Sequence, residues 1–281
     1  MSRLLLTGAA GHLGRRLAGQ AAGWELIAAY HVQPVAVEDG RAVALDLRDE
    51  AAVRAVVQTH RPDAIIHTAC SNRTPEQIQA IEPAARHLAR AAAETGARLV
   101  HLSTDLVFDG EQAPYADTAP LTPLGDYGQA KARAEALVQA LCPAAVIVRP
   151  SLIWGLNPLD HQTRWLVEAV RAGAPVTLFT DERRNPVHVG DLAAALLELA
   201  GRPDLTGALN AGGAQTLNRW EFGRRLLAAL RLEPGPNIQP GSSRAAGLVR
   251  ARDLALAPGR AARELRTRLR GVDEVLDAKE G

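Results

Sequence analysis

Through the first half of the chain, short apolar runs alternate with alanine-rich stretches of helical pattern. Few folds accommodate that rhythm. A strand that is followed by another running in the same direction needs a long crossover, and a helix is the usual one, so repeated strand–helix units build a parallel sheet covered on both faces. Strands are expected at 4–7, 26–30, 42–45, 64–68, 99–103 and 145–148, with helices near 12–22, 49–59, 76–95 and 128–141. Pro83 should kink the 76–95 helix or split it near its start, and Gly96 should stop it. After Pro150 the rhythm weakens. The segment "SLIWGLNPLDHQTRW" is rich in loop formers, "PVTLFT" (175–180) reads as a further strand, and "HVGDLAAALLELAG" and "RWEFGRRLLAAL" read as helices.

Composition narrows the classes of function. With 281 residues and 47% apolar content the chain can bury a sizeable core. Its 32 basic and 31 acidic residues nearly cancel, so no strong field draws in nucleic acid or an anionic membrane. Cys70 and Cys142 do not form a disulfide framework, and no Cys/His spacing suggests a metal site. The apolar run in "MSRLLLTGAAGHLG" is too short for a secretory signal, and no apolar stretch is long enough to span a bilayer. The expectation is a soluble, cytoplasmic protein with no metal and no nucleic-acid or membrane partner.

"TGAAGHLG" places Gly8, Gly11 and Gly14 directly after the first strand and at the opening of a helix. There a pyrophosphate can meet backbone N–H groups and the positive helix end, and small residues let it come close. The spacing is GxxGxxG instead of the commoner GxGxxG. The expected fold class is therefore α/β: a Rossmann-type doubly wound parallel sheet over 1–150 that binds a nicotinamide dinucleotide. Its contacts are expected at Gly8, Ala10, Gly11, His12, Leu13 and Gly14, and at Thr68 and Ala69 after the fourth strand. Tyr30 and His31 stand where a carboxylate would bind the ribose of NAD, which favours NADP(H) over NAD(H), with Arg15 or His31 as phosphate partners. Asp46, followed by Leu47, is a candidate for the adenine ring or, alternatively, a carboxylate near a helix N-cap.

"GDYGQAK" sets Tyr127 four residues before Lys131, so both lie on one face of a helix. The only lysines in the chain are Lys131 and Lys279. A carbonyl that accepts hydride develops negative charge on oxygen and needs a proton donor and a hydrogen-bond donor. A phenol with a reference pKa of roughly 10 is made more acidic by a neighbouring ammonium, and the planar fork of arginine does not replace that compact charge.

"TGAAGHLG", "STDLVFDG", "PLGDYGQAK" and "RPSLIWG" together resemble the extended short-chain dehydrogenase/reductase family, most closely its dTDP-4-dehydrorhamnose reductase branch. The resemblance implies that Thr104 polarises the substrate carbonyl, Tyr127 delivers the proton and Lys131 supports it. Ser103, Tyr127, Lys131 and, at the end of the sixth strand, Arg149 are expected at the cofactor, with Lys131 also reaching the nicotinamide ribose. Residues 151–281 are then mainly a smaller substrate-binding lobe, with part of 175–211 returning to the sheet. The implied reaction is NADP(H)-dependent reduction of a keto group on a nucleotide-linked sugar. Leu106 replaces the glutamate of related dehydratases, which disfavours dehydration.

Two departures stand out. "HTACSNRTPEQ" lacks the residues behind the branch's metal-bridged dimer, so neither metal nor that dimer carries over and a homodimer is left open. Glu82 replaces the family's helical Asn, which puts the proton relay behind the lysine in question. In the lobe, Trp154, Arg164, Trp165, His188 and Trp220 are candidates for a nucleotide-sugar surface. Two other functions fit the same residues: an NAD-dependent nucleotide-sugar epimerase, and a non-catalytic NADP-binding regulatory subunit like the β subunit of methionine adenosyltransferase.

Overall fold

A computed structural model describes residues 1–37, 40–69 and 74–278. The first half runs β1 (Ser2–Thr7), α1 (His12–Gln20), β2 (Trp24–Tyr30), β3 (Gly40–Ala44), α2 (Glu50–His60), β4 (Ala64–His67), α3 (Pro75–Gln79), α4 (Ile81–Thr95), β5 (Arg98–Leu102), α5 (Asp126–Leu141) and β6 (Val146–Pro150). The second half runs β7 (Ile153–Trp154), α6 (His161–Ala172), β8 (Val176–Phe179), β9 (Arg183–Arg184), β10 (Val187–His188), α7 (Val189–Ala200), β11 (Gly207–Ala211), β12 (Leu217–Asn218), α8 (Arg219–Ala229), β13 (Ile238–Gly241), α9 (Arg260–Glu264) and α10 (Val272–Asp277).

The central sheet is Rossmann-like. Its seven strands are parallel in the order β11-β6-β5-β4-β1-β2-β3. Alternate residues of each strand feed opposite faces, as the two-residue period requires. Leu4 and Leu6 pack with Leu13 and Leu17 of α1 and Leu192 and Leu196 of α7, while Leu5 packs with Val53 of α2, Leu88 of α4 and Ala134 of α5. The alanines of α4 and α5 let these helices approach the sheet closely.

The 76–95 stretch divides into α3 and α4 at Ala80. Pro83 then falls in the first turn of α4, where its missing N–H has no intrahelical partner to lose. Gly96 ends α4 in the left-handed conformation, with φ +74°. The 175–180 run forms β8, but β8 pairs with β13 apart from the main sheet. The stretch that returns to the sheet is β11, which extends the β6 edge from Gly207↔Val146 to Ala211↔Pro150.

The remaining segments form short paired strands and α6, α8 and α10 around two small apolar clusters, one on Trp154 and Phe222, the other on Leu178 and Leu227. A capping box between Asn218 and Glu221 starts α8. Among the described residues, no helix is long and apolar enough to cross a membrane.

Candidate active site

The chain leaves β1 toward one side of the sheet and returns at β4 on the other, so a crevice opens between the carboxyl ends of these two strands. The glycine turn fills that switch point. Gly8 has φ +78°, and a Cβ there would sit 2.8 Å from the backbone N of Ala69. A Cβ on Gly14 would sit 2.1 Å from the carbonyl oxygen of Gly8. Only glycine lets β4 and α1 close on the turn this tightly. Gly11 is the N-cap of α1 and has no side chain with which to cap it; among the described residues no side-chain bond to the first turn is seen, and that turn holds no acid. The first N–H groups of α1 are thus left for an anion, which fits a dinucleotide pyrophosphate.

A cavity of about 1350 Å³ runs from this turn across the sheet ends. Gly8, Ala10, Gly11, His12, Leu13, Gly14, Thr68 and Ala69 line one stretch of it, and Tyr30, His31, Asp46, Leu47 and Arg48 line another. The Asp46 carboxylate accepts two prongs from Arg48, at 3.0 and 2.7 Å, with His31 Nε2 3.6 Å away. The Arg48 hydrogen bonds hold the Asp46 carboxyl down at about 2. Helix α2 is capped by Asp49 instead, whose side chain accepts from Ala52 N.

Ser103, Thr104, Tyr127 and Lys131 line the same cavity. Thr104 follows β5 and caps a short 3₁₀ turn by accepting from Leu106 N at 3.2 Å. Tyr127 lies in the first turn of α5 and Lys131 one turn further on. Lys131 is buried, and its Nζ donates to the Leu102 carbonyl at 2.9 Å. Beneath it, His67 and His101 stand on neighbouring strands with ring centroids 5.2 Å apart. Burial, aided by the Lys131 charge, pulls His67 down to about 3, and burial holds His101 well below the usual imidazole range.

The sequence model of the RmlD substrate binding domain family matches residues 2–271. The chain belongs to that family. It is 33% identical, over 87% of its length and 84% of the relative's, to a dTDP-4-keto-6-deoxy-D-glucose reductase from Streptomyces niveus. It is 30% identical, over 85% of its length and 75% of the relative's, to methionine adenosyltransferase 2 subunit beta from Xenopus laevis. The crystal structure of dTDP-4-dehydrorhamnose reductase from Bacillus anthracis str. Ames in complex with NADP has the same fold, with a TM-score of 0.82 at 22% identity over 99% of this chain and 98% of that one.

Some residues expected at the site of this RmlD-family chain lie elsewhere. Arg149 does not line the cavity. Its guanidinium is buried behind the sheet end, where it pairs with Glu135 at 2.7–3.1 Å and donates to the Asp117 carbonyl. Ser103 also donates its hydroxyl to Glu135. Of the lobe candidates, Trp165 reaches the cavity. Trp154 is core, packed edge-on against the buried His188 and against Phe222. Trp220 joins the Leu178 cluster, and Arg164 folds onto the Leu159 carbonyl. Arg15 is exposed on α1 and does not line the cavity. Glu82 pairs with Arg133, tying α4 to α5. Cys70 and the three residues after it lie outside the described residues.

Other cavity residues were not singled out by the sequence, although Asp105 and Ser151 lie inside the "STDLVFDG" and "RPSLIWG" stretches. Arg48 is one arginine among many, although its place two residues beyond Asp46 could have raised it. Asp105, Ser151, Glu182, Arg184, Arg219 and Arg250 also line the cavity, brought there from five separate segments. Nothing local in the sequence marks their convergence.

Proposed function

We propose that the chain is an NADP(H)-dependent reductase of a keto group on a nucleotide-linked sugar, with Thr104, Tyr127 and Lys131 as its catalytic residues. The observation that carries this reading is that a hydroxyl, a phenol and an ammonium share the wall of the cavity that begins at the glycine turn. When bound, the nicotinamide dinucleotide supplies the hydride that reduces the carbonyl carbon. Thr104 donates a hydrogen bond to the carbonyl oxygen as negative charge grows there, and Tyr127 transfers its phenolic proton to that oxygen. Lys131 stabilises the phenolate left behind, until a solvent proton restores it. On the lobe side, Arg219, Arg250 and Trp165 suit a nucleoside diphosphate, through guanidinium forks and an aromatic face.

The preference for NADP(H) rests on the end of β2, where Tyr30 and His31 offer no carboxylate to a ribose, and on Arg48 beside them. Replacing Arg48 by Ala is expected to raise KM for NADPH about tenfold, the usual scale of one charge-assisted hydrogen bond, while KM for NADH changes little. Equal changes for the two cofactors would remove this basis for the preference.

The functional test is NADPH oxidation by the purified chain with dTDP-4-keto-6-deoxy-D-glucose and other 4-keto nucleotide sugars. One NADPH is expected to be consumed per carbonyl reduced. Tight NADP binding without turnover of any of these sugars would instead support a regulatory subunit. Interconversion of sugar epimers with no net NADPH consumption would support an epimerase.

A further inference from the structure

Asp105 stands directly beside Thr104 on the cavity wall and is buried. Its two oxygens have different partners. Oδ2 accepts from Ser151 Oγ at 2.8 Å and faces Arg184 Nε at 3.6 Å, whereas Oδ1 meets the Thr104 hydroxyl at 3.4 Å. Burial pushes the Asp105 carboxyl up from its ordinary range, and the Arg184 charge opposes that rise. Arg184 is itself held in place, with Nη1 donating to the Arg183 carbonyl at 2.9 Å and Nη2 to the Ala251 carbonyl at 3.2 Å.

A threonine hydroxyl has one proton to donate. Thr104 already accepts from Leu106 N, so its proton goes either to Asp105 or to a substrate oxygen. A free carboxylate at this distance would compete for the proton and would also repel the negative charge that carbonyl reduction builds. Both effects weaken when the carboxylate is drawn to a cation on its far side.

On the reading that Thr104 polarises a substrate carbonyl, we infer that Arg184 is a positioning residue for the reduction. It holds the Asp105 carboxylate through Oδ2, leaves the Thr104 proton for the substrate oxygen and offsets the carboxylate's repulsion of the growing charge. Other charged or titratable groups on the same cavity are Tyr127 and Lys131 from α5, Asp160, His161, Glu182, Arg219 and Arg250 from the lobe, and His12, Tyr30, His31, Asp46, Arg48 and Glu76 toward the glycine turn and the β2 end; Arg149 lies behind the wall, paired to Glu135.

The test is a double-mutant cycle of Arg184→Gln and Asp105→Asn, assayed with NADPH and dTDP-4-keto-6-deoxy-D-glucose. Arg184→Gln is expected to lower kcat about 10- to 100-fold with KM within about threefold. In the Asp105→Asn background the same replacement should cost about threefold or less. The Asp105→Asn change cannot restore the Arg184 bonds to the carbonyls of residues 183 and 251, so this loss of dependence separates the charge effect from a loosened lobe. Removing Arg184 also raises the Asp105 pKa, so the rate of Arg184→Gln should recover as pH falls and the carboxylate is neutralised, with no such recovery in the wild type.

An equal cost of Arg184→Gln in both backgrounds overturns the inference. Should Arg184→Gln fail to fold, Arg184→Lys enters the same cycle and is expected to show a smaller loss, again reduced by Asp105→Asn. A readout independent of turnover is carbon NMR titration of the Asp105 carboxyl, assigned with Asp105→Asn. Its midpoint should lie higher in Arg184→Gln than in the wild type, and an unchanged midpoint counts against the proposal. A wild type that leaves all the keto sugars unreduced counts against the reductase reading instead.

Discussion

Replacing Tyr127 by Phe is expected to lower kcat by about 10²- to 10⁴-fold, the usual range for removing a positioned proton donor. NADPH affinity should stay within a few-fold and the thermal midpoint should hardly move. The ring is half-buried against the α4–α5 side of the core, and Phe keeps that packing while removing only the hydroxyl. With Lys131 buried one turn along and its Nζ anchored on the Leu102 carbonyl, the ammonium stays in place in the variant. The loss then reports the missing proton and not a displaced charge. Single-turnover NADPH oxidation together with a fluorescence titration of NADPH separates the two quantities. If the variant retains about a tenth of the wild-type rate or more, the proton comes from another group.

Arg149→Met should act on stability and not on cofactor affinity. The Arg149 and Glu135 side chains are 6% and 5% exposed, and the pair is bidentate, Nε to Oε1 and Nη2 to Oε2. Removing the arginine leaves Glu135 buried with the Ser103 hydroxyl but without its counter-charge, at a cost of about 3–5 kcal/mol. For a chain of this size that corresponds to a fall in Tm of roughly 10 °C. Replacing both partners, Arg149→Met with Glu135→Leu, should return much of the loss, because two apolar groups no longer strand a charge. Thermal denaturation with and without NADPH checks both points. A variant of normal Tm that binds NADPH tenfold more weakly would put Arg149 back at the ligand.

The contrast between Tyr127 and Arg149 shows which features were legible in the sequence. Tyr127 and Lys131 are four residues apart, and helix geometry alone puts them on one face. The glycine turn was equally readable, because its requirement is steric and confined to Gly8–Gly14. Arg149 was correctly placed at the carboxyl end of its strand, but whether it points to the crevice or behind it depends on Glu135, a residue on another element. Asp46 was placed beside the crevice, yet its bidentate hold on Arg48 is a rotamer outcome that no pattern announces. Trp154 looked like a ligand surface because tryptophan suits one, and it became core because β7 carries it under α8.

By itself the sequence determined the parallel sheet, the glycine turn at its first crossover and the Tyr127/Lys131 pair, since each follows from periodicity or spacing within one element. The tertiary structure alone decided which charges meet around Asp105 and which are withdrawn behind the sheet end. Asp105 and Arg184 are far apart along the chain and meet through the packing of a lobe strand onto the sheet end. Arg149 is withdrawn by a helix that covers it. Such encounters depend on how separate elements dock, and a buried charge is placed by its partner and not by its neighbours in sequence.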